Sequence, residues 1–240
     1  MSIAEIETLP DAAALATHVA TRLLDRLGAV QAVGEQPHIA LTGGSIADAV
    51  HGELARLSPQ SGVDWTRVVV WWGDDRFVAG DSPERNAVQA RRAFLDAVGA
   101  TQVHEMPSTD DADNVAAGAD AYGSLLRSQG RGQFDIVMLG VGVDGHVASL
   151  FPGRPELDVD DRIAVAVTEC PKPPSHRISL TFAALSRARS VWFLVSGADK
   201  AAAVAAALAD DADFHDIPAR GVAGSEETVW YLDTAAASEL

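Results

Sequence analysis

Three stretches of this sequence are apolar almost without interruption: residues 68–72 (VVVWW), 134–139 (FDIVML) and 191–195 (VWFLV). A strand with one wet face alternates polar and apolar side chains. These do not, so both of their faces must be covered. Helical periodicity fills the intervals between them. Over 11–33, Leu15, Val19, Leu23, Leu24 and Leu27 recur at helical spacing before a stop at Gly34. Further helices are predicted over 45–57 (closed by Ser58-Pro59), over 84–98 with Pro83 near the first turn, over 112–129, and over the alanine-rich 199–208. Shorter strands are predicted at 38–42, 103–106, 163–168, 178–181 and 228–232, and loops at 152–161 and 171–175.

Strands separated by helices of 10 to 20 residues imply parallel pairing with helices on both faces. The expected fold is therefore a doubly wound α/β domain with a mainly parallel sheet, leaving room for a small lid or subdomain. No repeat or low-complexity linker divides the chain, so one domain is expected over residues 1–240.

Charge narrows the function classes. Asp and Glu number 34 against 18 Lys and Arg, a net charge of −16, and the only lysines are Lys172 and Lys200. A chain this acidic, with no basic run, is a poor partner for nucleic acid or an anionic membrane surface. Its one cysteine, Cys170, forbids an intramolecular disulfide framework. No window approaches 18 uninterrupted apolar residues, and the acidic start MSIAEIETLPD lacks a basic-then-apolar signal pattern, so the expected location is the cytoplasm.

In an open parallel sheet, ligands bind beyond the carboxyl ends of the strands. Four strand-to-helix junctions carry unusual residues: 42–45 (TGGS), 73–76 (GDDR), 140–146 (GVGVDGH) and 196–200 (SGADK). All four should reach the same sheet edge. Gly43 and Gly44 let backbone amides approach an anion, and Ser45 adds a hydroxyl at a helix start, which suits a phosphate. A tight turn with an ordinary serine cap fits the same residues. The segment 43–47 (GGSIA) is not a nucleophile elbow, because Ala47 stands where the last glycine is needed.

Residues 140–145 match the dinucleotide fingerprint G-x-G-x-x-G, with Asp160 and Asp161 about 20 residues on. Pro152-Gly153 arrives too soon for the long helix which that fingerprint requires. The better reading centres on Asp144 and His146. A histidine in a glycine-walled loop can serve as a neutral base near pH 7, and a nearby carboxylate would fix its tautomer. Asp74, Asp75 and Arg76 follow a fully apolar strand and are expected at its exposed end, as a solvated turn or facing a polar ligand. Lys200 opens a helix, against the dipole, which favours an anion nearby. Arg177 is a second candidate cation. The histidines show neither H-E-x-x-H nor Cys/His ligand spacing, so no metal site is expected.

The segments 41–50 (LTGGSIADAV), 71–94, 134–153 (FDIVMLGVGVDGHVASLFPG), 176–204 and 217–219 (IPA) together resemble the 6-phosphogluconolactonases of the glucosamine-6-phosphate isomerase/6-phosphogluconolactonase family. GVGVDGHVASLFPG is the most specific piece. The related deaminases share G-x-G-x-D-G-H but continue differently, and they typically have phenylalanine after the acids where this chain has Arg76.

The resemblance implies a Rossmann-like α/β/α fold, as in sugar-phosphate isomerases. It also implies hydrolysis of a phosphorylated sugar lactone without metal or organic cofactor. By position, His146 becomes the base that activates water, with Asp144, Asp74 and Arg76 beside it. Gly43, Gly44, Ser45, Arg177 and Lys200 become phosphate-binding. The chain departs from the family pattern at Asp75, at Arg85-Asn86 and at Ser45-Ile46-Ala47, which leaves substrate contact by Asp75 and Arg85 open. An amino-sugar-phosphate deaminase and a non-catalytic sugar-phosphate sensor remain as alternatives on the same fold.

Overall fold

The computed structural model describes residues 4–240; of the span expected to form one domain, residues 1–3 lie outside the described residues. In chain order the elements are β1 (Glu5–Leu9), α1 (Ala12–Ala32), β2 (His38–Leu41), α2 (Ser45–Ser61), β3 (Val69–Trp72), β4 (Asp74–Arg76), α3 (Asn86–Ala90), β5 (Gln102–Val103), α4 (Val115–Gln129) and β6 (Phe134–Gly140). There follow β7 (Ala164–Val167), β8 (Arg177–Leu180), α5 (Phe182–Leu185), β9 (Ala188–Val195), α6 (Ala201–Leu208) and β10 (Glu227–Asp233).

The three apolar runs form β3, β6 and β9, inside a seven-stranded sheet of order β1-β10-β9-β6-β2-β3-β5. Every pairing in it is parallel. Trp71, Trp72 and Trp192 are fully buried, as strands covered on both faces require. Helix α1 supplies part of that cover. Asp11 caps its amino end by accepting from the Ala14 amide at 2.8 Å, and Leu15, Val19, Leu23 and Leu27 bury its inner face. Burying each such side chain stabilises the fold by about 1.5–3 kcal/mol.

From β2 the chain winds outward through β3 to β5, then returns to add β6 on the other side of β2. The direction of winding thus reverses between β2 and β6. The loops leaving their carboxyl ends separate there and open a crevice.

The two strands predicted at 163–168 and 178–181 have no helix between them, and they do not join the large sheet. They form a three-stranded antiparallel sheet of order β4-β8-β7. In it Asp74 faces Ser179, Asp75 faces Ile178 and Arg76 faces Arg177. The expectation of an exposed acidic turn at 74–76 is therefore corrected: the segment is a strand, and Asp74 and Asp75 are buried. Val165, Ile178 and Leu180 belong to the same apolar core as the large sheet, so the small sheet is fixed against it.

Other differences are local. β1, with two glutamates and a threonine in five residues, pairs along one side only as an edge strand. Helix α2 runs through Pro59 for two further residues, and Gly62 at φ 73° closes the helix. The helix predicted over 84–98 is a short α3 continued by a π-helical turn over Arg91–Leu95.

Candidate active site

A cavity of about 380 Å³ opens at the carboxyl ends of β2, β3, β6 and β9. All four polar junctions line it, together with loop 172–173 and Arg177 at the start of β8. Of the residues singled out in the sequence, Gly43, Gly44, Ser45, Asp74, Arg76, His146, Arg177 and Lys200 face the cavity. Asp144 does not line it, but it bonds to His146.

The first wall is the start of α2. Gly44 takes φ 102°, a left-handed conformation that favours glycine, and precedes the helix without any side-chain cap. The first amides of a 17-residue helix, beside the Ser45 hydroxyl, therefore face the cavity with the positive end of the helix dipole. The Gly140 amide donates to Thr42 Oγ1 at 3.4 Å, which ties this loop to the one leaving β6.

The second wall is the loop 140–146. It closes on itself, with the Gly142 amide donating to the His146 carbonyl at 2.9 Å and the Gly145 amide to the Gly142 carbonyl at 3.0 Å. A β-carbon at Gly142 would overlap His146 Nδ1 and Asp144 Oδ1, so the pair can pack against the backbone only if that position is glycine. His146 Nδ1 lies 2.5 Å from Asp144 Oδ1, and the Phe151 ring packs against the imidazole with centroids 4.5 Å apart. Burial pushes the Asp144 carboxyl up. The hydrogen bond and charge of His146, with the Lys172 ammonium, outweigh it and hold the carboxyl well below the usual range. An ionised Asp144 can only accept the hydrogen bond, so the ring proton sits on Nδ1 and the Nε2 lone pair is left free.

The third wall comes from β4. Asp74 accepts from Ser149 Oγ at 2.6 Å, and the Asn86 side-chain amide donates to the Asp74 carbonyl at 2.9 Å. Arg76 Nη1 donates to Asn86 Oδ1. Asp75 points away from the cavity. Its carboxylate accepts from the Arg76 amide at 2.8 Å, the Asn86 amide at 2.6 Å and the Ala87 amide at 3.2 Å, and so caps α3. Burial pushes this carboxyl up to about 6, against the pull of Arg85 and the three amides. Arg85 is equally buried: it lies 3.6 Å from Asp75 and donates to the carbonyls of Gly80 and Met106. Neither Asp75 nor Arg85 lines the cavity.

Cations complete the lining. Lys200 ends a 3₁₀ turn over Ala198–Lys200 and sits 3.4 Å from Asp199. Arg177 is buried, and its Nε and Nη2 donate to the carbonyls of Pro174, Lys172 and Pro173 at 3.2–3.3 Å. Lys172 lines the cavity as well, so both lysines of the chain meet there. The rarity that marks Lys200 in the sequence applies equally to Lys172, but a proline-flanked loop gives no hint of where it folds. Ser149 also escaped sequence reasoning, since it acts through Asp74, a partner distant in the chain.

The dinucleotide fingerprint has no counterpart in space. Beyond Gly145 no helix begins, and Val147 pairs with Leu150 in an isolated bridge instead. Asp160 and Asp161 border a different cavity, at the amino ends of β2 and β6. Among the described residues, no group of three or more His, Cys, Asp or Glu gathers to hold a metal, and no helix is long and apolar enough to cross a membrane.

The chain is also similar to known proteins along nearly its whole length. The profile of the family described as glucosamine-6-phosphate isomerases/6-phosphogluconolactonase matches residues 10–230. The chain is 41% identical to the 6-phosphogluconolactonase of Mycobacterium tuberculosis, with 98% of each chain covered. It is 40% identical to that of Streptomyces coelicolor, over 94% of this chain and 90% of the relative. Among solved structures, the 6-phosphogluconolactonase of Trypanosoma brucei superposes with a TM-score of 0.83 at 26% identity, covering 99% of this chain and 98% of that one.

Proposed function

Because the chain belongs to the glucosamine-6-phosphate isomerase/6-phosphogluconolactonase family, we propose that it hydrolyses 6-phospho-D-glucono-1,5-lactone to 6-phosphogluconate. The observation that carries this reading is His146, bonded to Asp144 at 2.5 Å and lining one cavity with an uncapped helix start and Lys200. That is a general base facing an anion site. The work needs a bound phosphorylated ring, a water and a proton acceptor.

The amides at Gly43, Gly44 and Ser45, the Lys200 ammonium and the remaining Nη1 of Arg177 hold the 6-phosphate. His146 Nε2 takes a proton from water as its oxygen bonds to the lactone carbonyl carbon, and the carbonyl oxygen becomes an oxyanion. The tetrahedral species collapses by breaking the bond to the ring oxygen. That oxygen leaves as the 5-hydroxyl, protonated by the imidazolium. The new carboxylic acid ionises, and His146 is again neutral. Asp144 holds the ring in the required tautomer and offsets the charge it carries midway. Asp74, itself held by Ser149, fixes Arg76 at the cavity wall through Asn86.

The substrate is an anion and the chain carries −16. Exposed charges are screened beyond about 8 Å at physiological salt, so a local cluster of cations suffices to bind it. The reading places the whole chain, as one domain, in the cytoplasm with a small sugar phosphate as its partner.

The test pairs two substrates. Formation of 6-phosphogluconate above the spontaneous rate supports the lactonase; ammonia release from glucosamine 6-phosphate would assign the chain to the deaminases instead. Lys200→Ala should mainly raise KM and shrink the preference over unphosphorylated gluconolactone. An unchanged preference would remove Lys200 from the phosphate site.

A further inference from the structure

We propose that the cavity at the amino ends of β2 and β6 binds a small phosphate monoester carrying a flat, acceptor-bearing ring, the chemistry of a nucleoside monophosphate. The site stands apart from the lactonase reading and does not depend on it.

The cavity measures about 290 Å³, at the low end of the roughly 300–1,000 Å³ range of small-molecule sites. His38, which opens β2, and Phe134, which opens β6, line it, whereas the active site lies past the carboxyl ends of the same two strands. The two cavities share no lining residue, so a ligand here touches none of the catalytic groups.

His38 supplies the first specific contact. It is 3% exposed, and its Nδ1 accepts from Trp71 Nε1 at 3.3 Å. An indole nitrogen can only donate, so Nδ1 keeps its lone pair and the proton of the neutral ring sits on Nε2. The neutral form is secure, because burial, with the charge of Arg131, pulls the imidazole down to about 4. His104 stacks on the same indole, with centroids 4.2 Å apart, and helps hold it. Among the described residues the Nε2–H of His38 has no partner. A buried donor left unmatched is destabilising, and this one borders a cavity where a ligand acceptor can reach it.

Charge supplies the second contact. Arg127, Arg131, Arg162 and Arg187 all line the cavity, in a chain of net charge −16. Arg131 is spent on Glu35 and the Gln36 carbonyl, and Arg162 on Asp120. The guanidiniums of Arg127 and Arg187 have no partner among the described residues. Arg187 is nonetheless rooted: its amide donates to the Ala184 carbonyl at 3.1 Å, and its carbonyl accepts from the Phe134 amide at 2.8 Å. With Asp160 and Asp161 counted, the lining keeps a surplus of two positive charges. A phosphate monoester carries nearly two negative charges at pH 7 and accepts bidentately from guanidiniums.

Much of the remaining lining is apolar, from Leu126, Phe134, Ile163 and Ala184. A sugar ring would leave its hydroxyls unmatched there. A flat heterocycle covers such a wall and offers a ring nitrogen to the single donor.

The experiment titrates wild type by calorimetry with the common ribonucleoside 5′-monophosphates, the matching nucleosides and inorganic phosphate. At least one monophosphate should bind with a Kd of about 1 mM or tighter, and about tenfold or more tightly than its nucleoside or inorganic phosphate. Arg127 and Arg187 are exposed, so Arg127→Met/Arg187→Met should keep native circular dichroism while losing about tenfold or more in affinity for that ligand. Lys200→Ala should bind it as wild type does. In wild type, the NMR signals of the His38 ring should shift on saturation, a readout that leaves the buried residue in place.

Inorganic phosphate binding as tightly as every monophosphate would reduce the cavity to a simple anion site. Loss of binding in Lys200→Ala with retention in the double variant would move the ligand to the active site. Either result, or no binding by any monophosphate, overturns the proposal. The lactonase reading fails on a separate result: wild type would not turn over the lactone.

Discussion

Replacing Asp144 by asparagine removes a charge while nearly preserving shape, and the consequences can be worked from the geometry. The carboxylate accepts from His146 Nδ1 at 2.5 Å and does not line the cavity, so substrate binding should be spared. A charge-assisted hydrogen bond contributes about 1.5–3 kcal/mol. Most of that is realised when the imidazole is protonated, midway through the reaction. At about 1.4 kcal/mol per decade, its loss corresponds to roughly 10- to 100-fold in kcat. A second effect can add to this. An amide can turn a donor toward Nδ1, moving the ring proton to Nε2, the nitrogen that must accept from water. Complete inversion of the tautomer in such a pair costs about 10⁴. The expected result is a kcat loss between tenfold and about 10⁴, with KM within about threefold, and with Asp144→Asn at least as slow as Asp144→Ala. The Asp144 side chain is 34% exposed, so the melting midpoint should stay within about 4 °C of wild type. Initial rates at pH 7, corrected for spontaneous lactone opening, measure this directly. A kcat within a factor of three of wild type would refute the role given to Asp144.

Two further outcomes are expected. Gly142→Ala places a methyl group where the Asp144–His146 pair sits, so kcat should approach that of a variant without the base, down about 10²–10⁴, while circular dichroism stays native; wild-type turnover would show that the loop accommodates the methyl. His51 is buried against Phe94, with ring centroids 5.0 Å apart, and burial pulls it down to about 4. The unfolded chain takes up that proton near pH 6.5 and the native chain does not, so stability falls as pH drops from about 6.5 toward 4, by about 3 kcal/mol for this residue. His51→Leu should flatten the loss in urea unfolding at pH 7 and pH 4.5, and an unchanged pH dependence would contradict it.

The parts of the molecule legible in the sequence are those governed by local pattern. The doubly apolar runs at 68–72, 134–139 and 191–195 could only be interior strands, and with them came the edge where their junctions converge. The rule that ligands sit beyond strand carboxyl ends then located His146, Lys200 and the Gly43–Gly44 loop without further information. What stayed hidden was set by tertiary contact. Asp74 and Asp75 are adjacent, yet one faces the cavity and the other caps α3, because strand β4 sends neighbouring side chains to opposite faces. Nothing near residue 74 announces that strand, since its partner β8 lies about a hundred residues away. Lys172 was invisible for a similar reason: its placement depends on Arg177 gripping the loop, a contact with no periodicity to read.

One measurement tests the central claim most directly: hydrolysis of 6-phosphogluconolactone by wild type beside His146→Ala, both against the spontaneous background. Wild type should open the lactone well above background, and His146→Ala should be slower by about 10²–10⁴ in kcat with the fold intact. A wild-type rate equal to background, or a variant as fast as wild type, would contradict the account at its base.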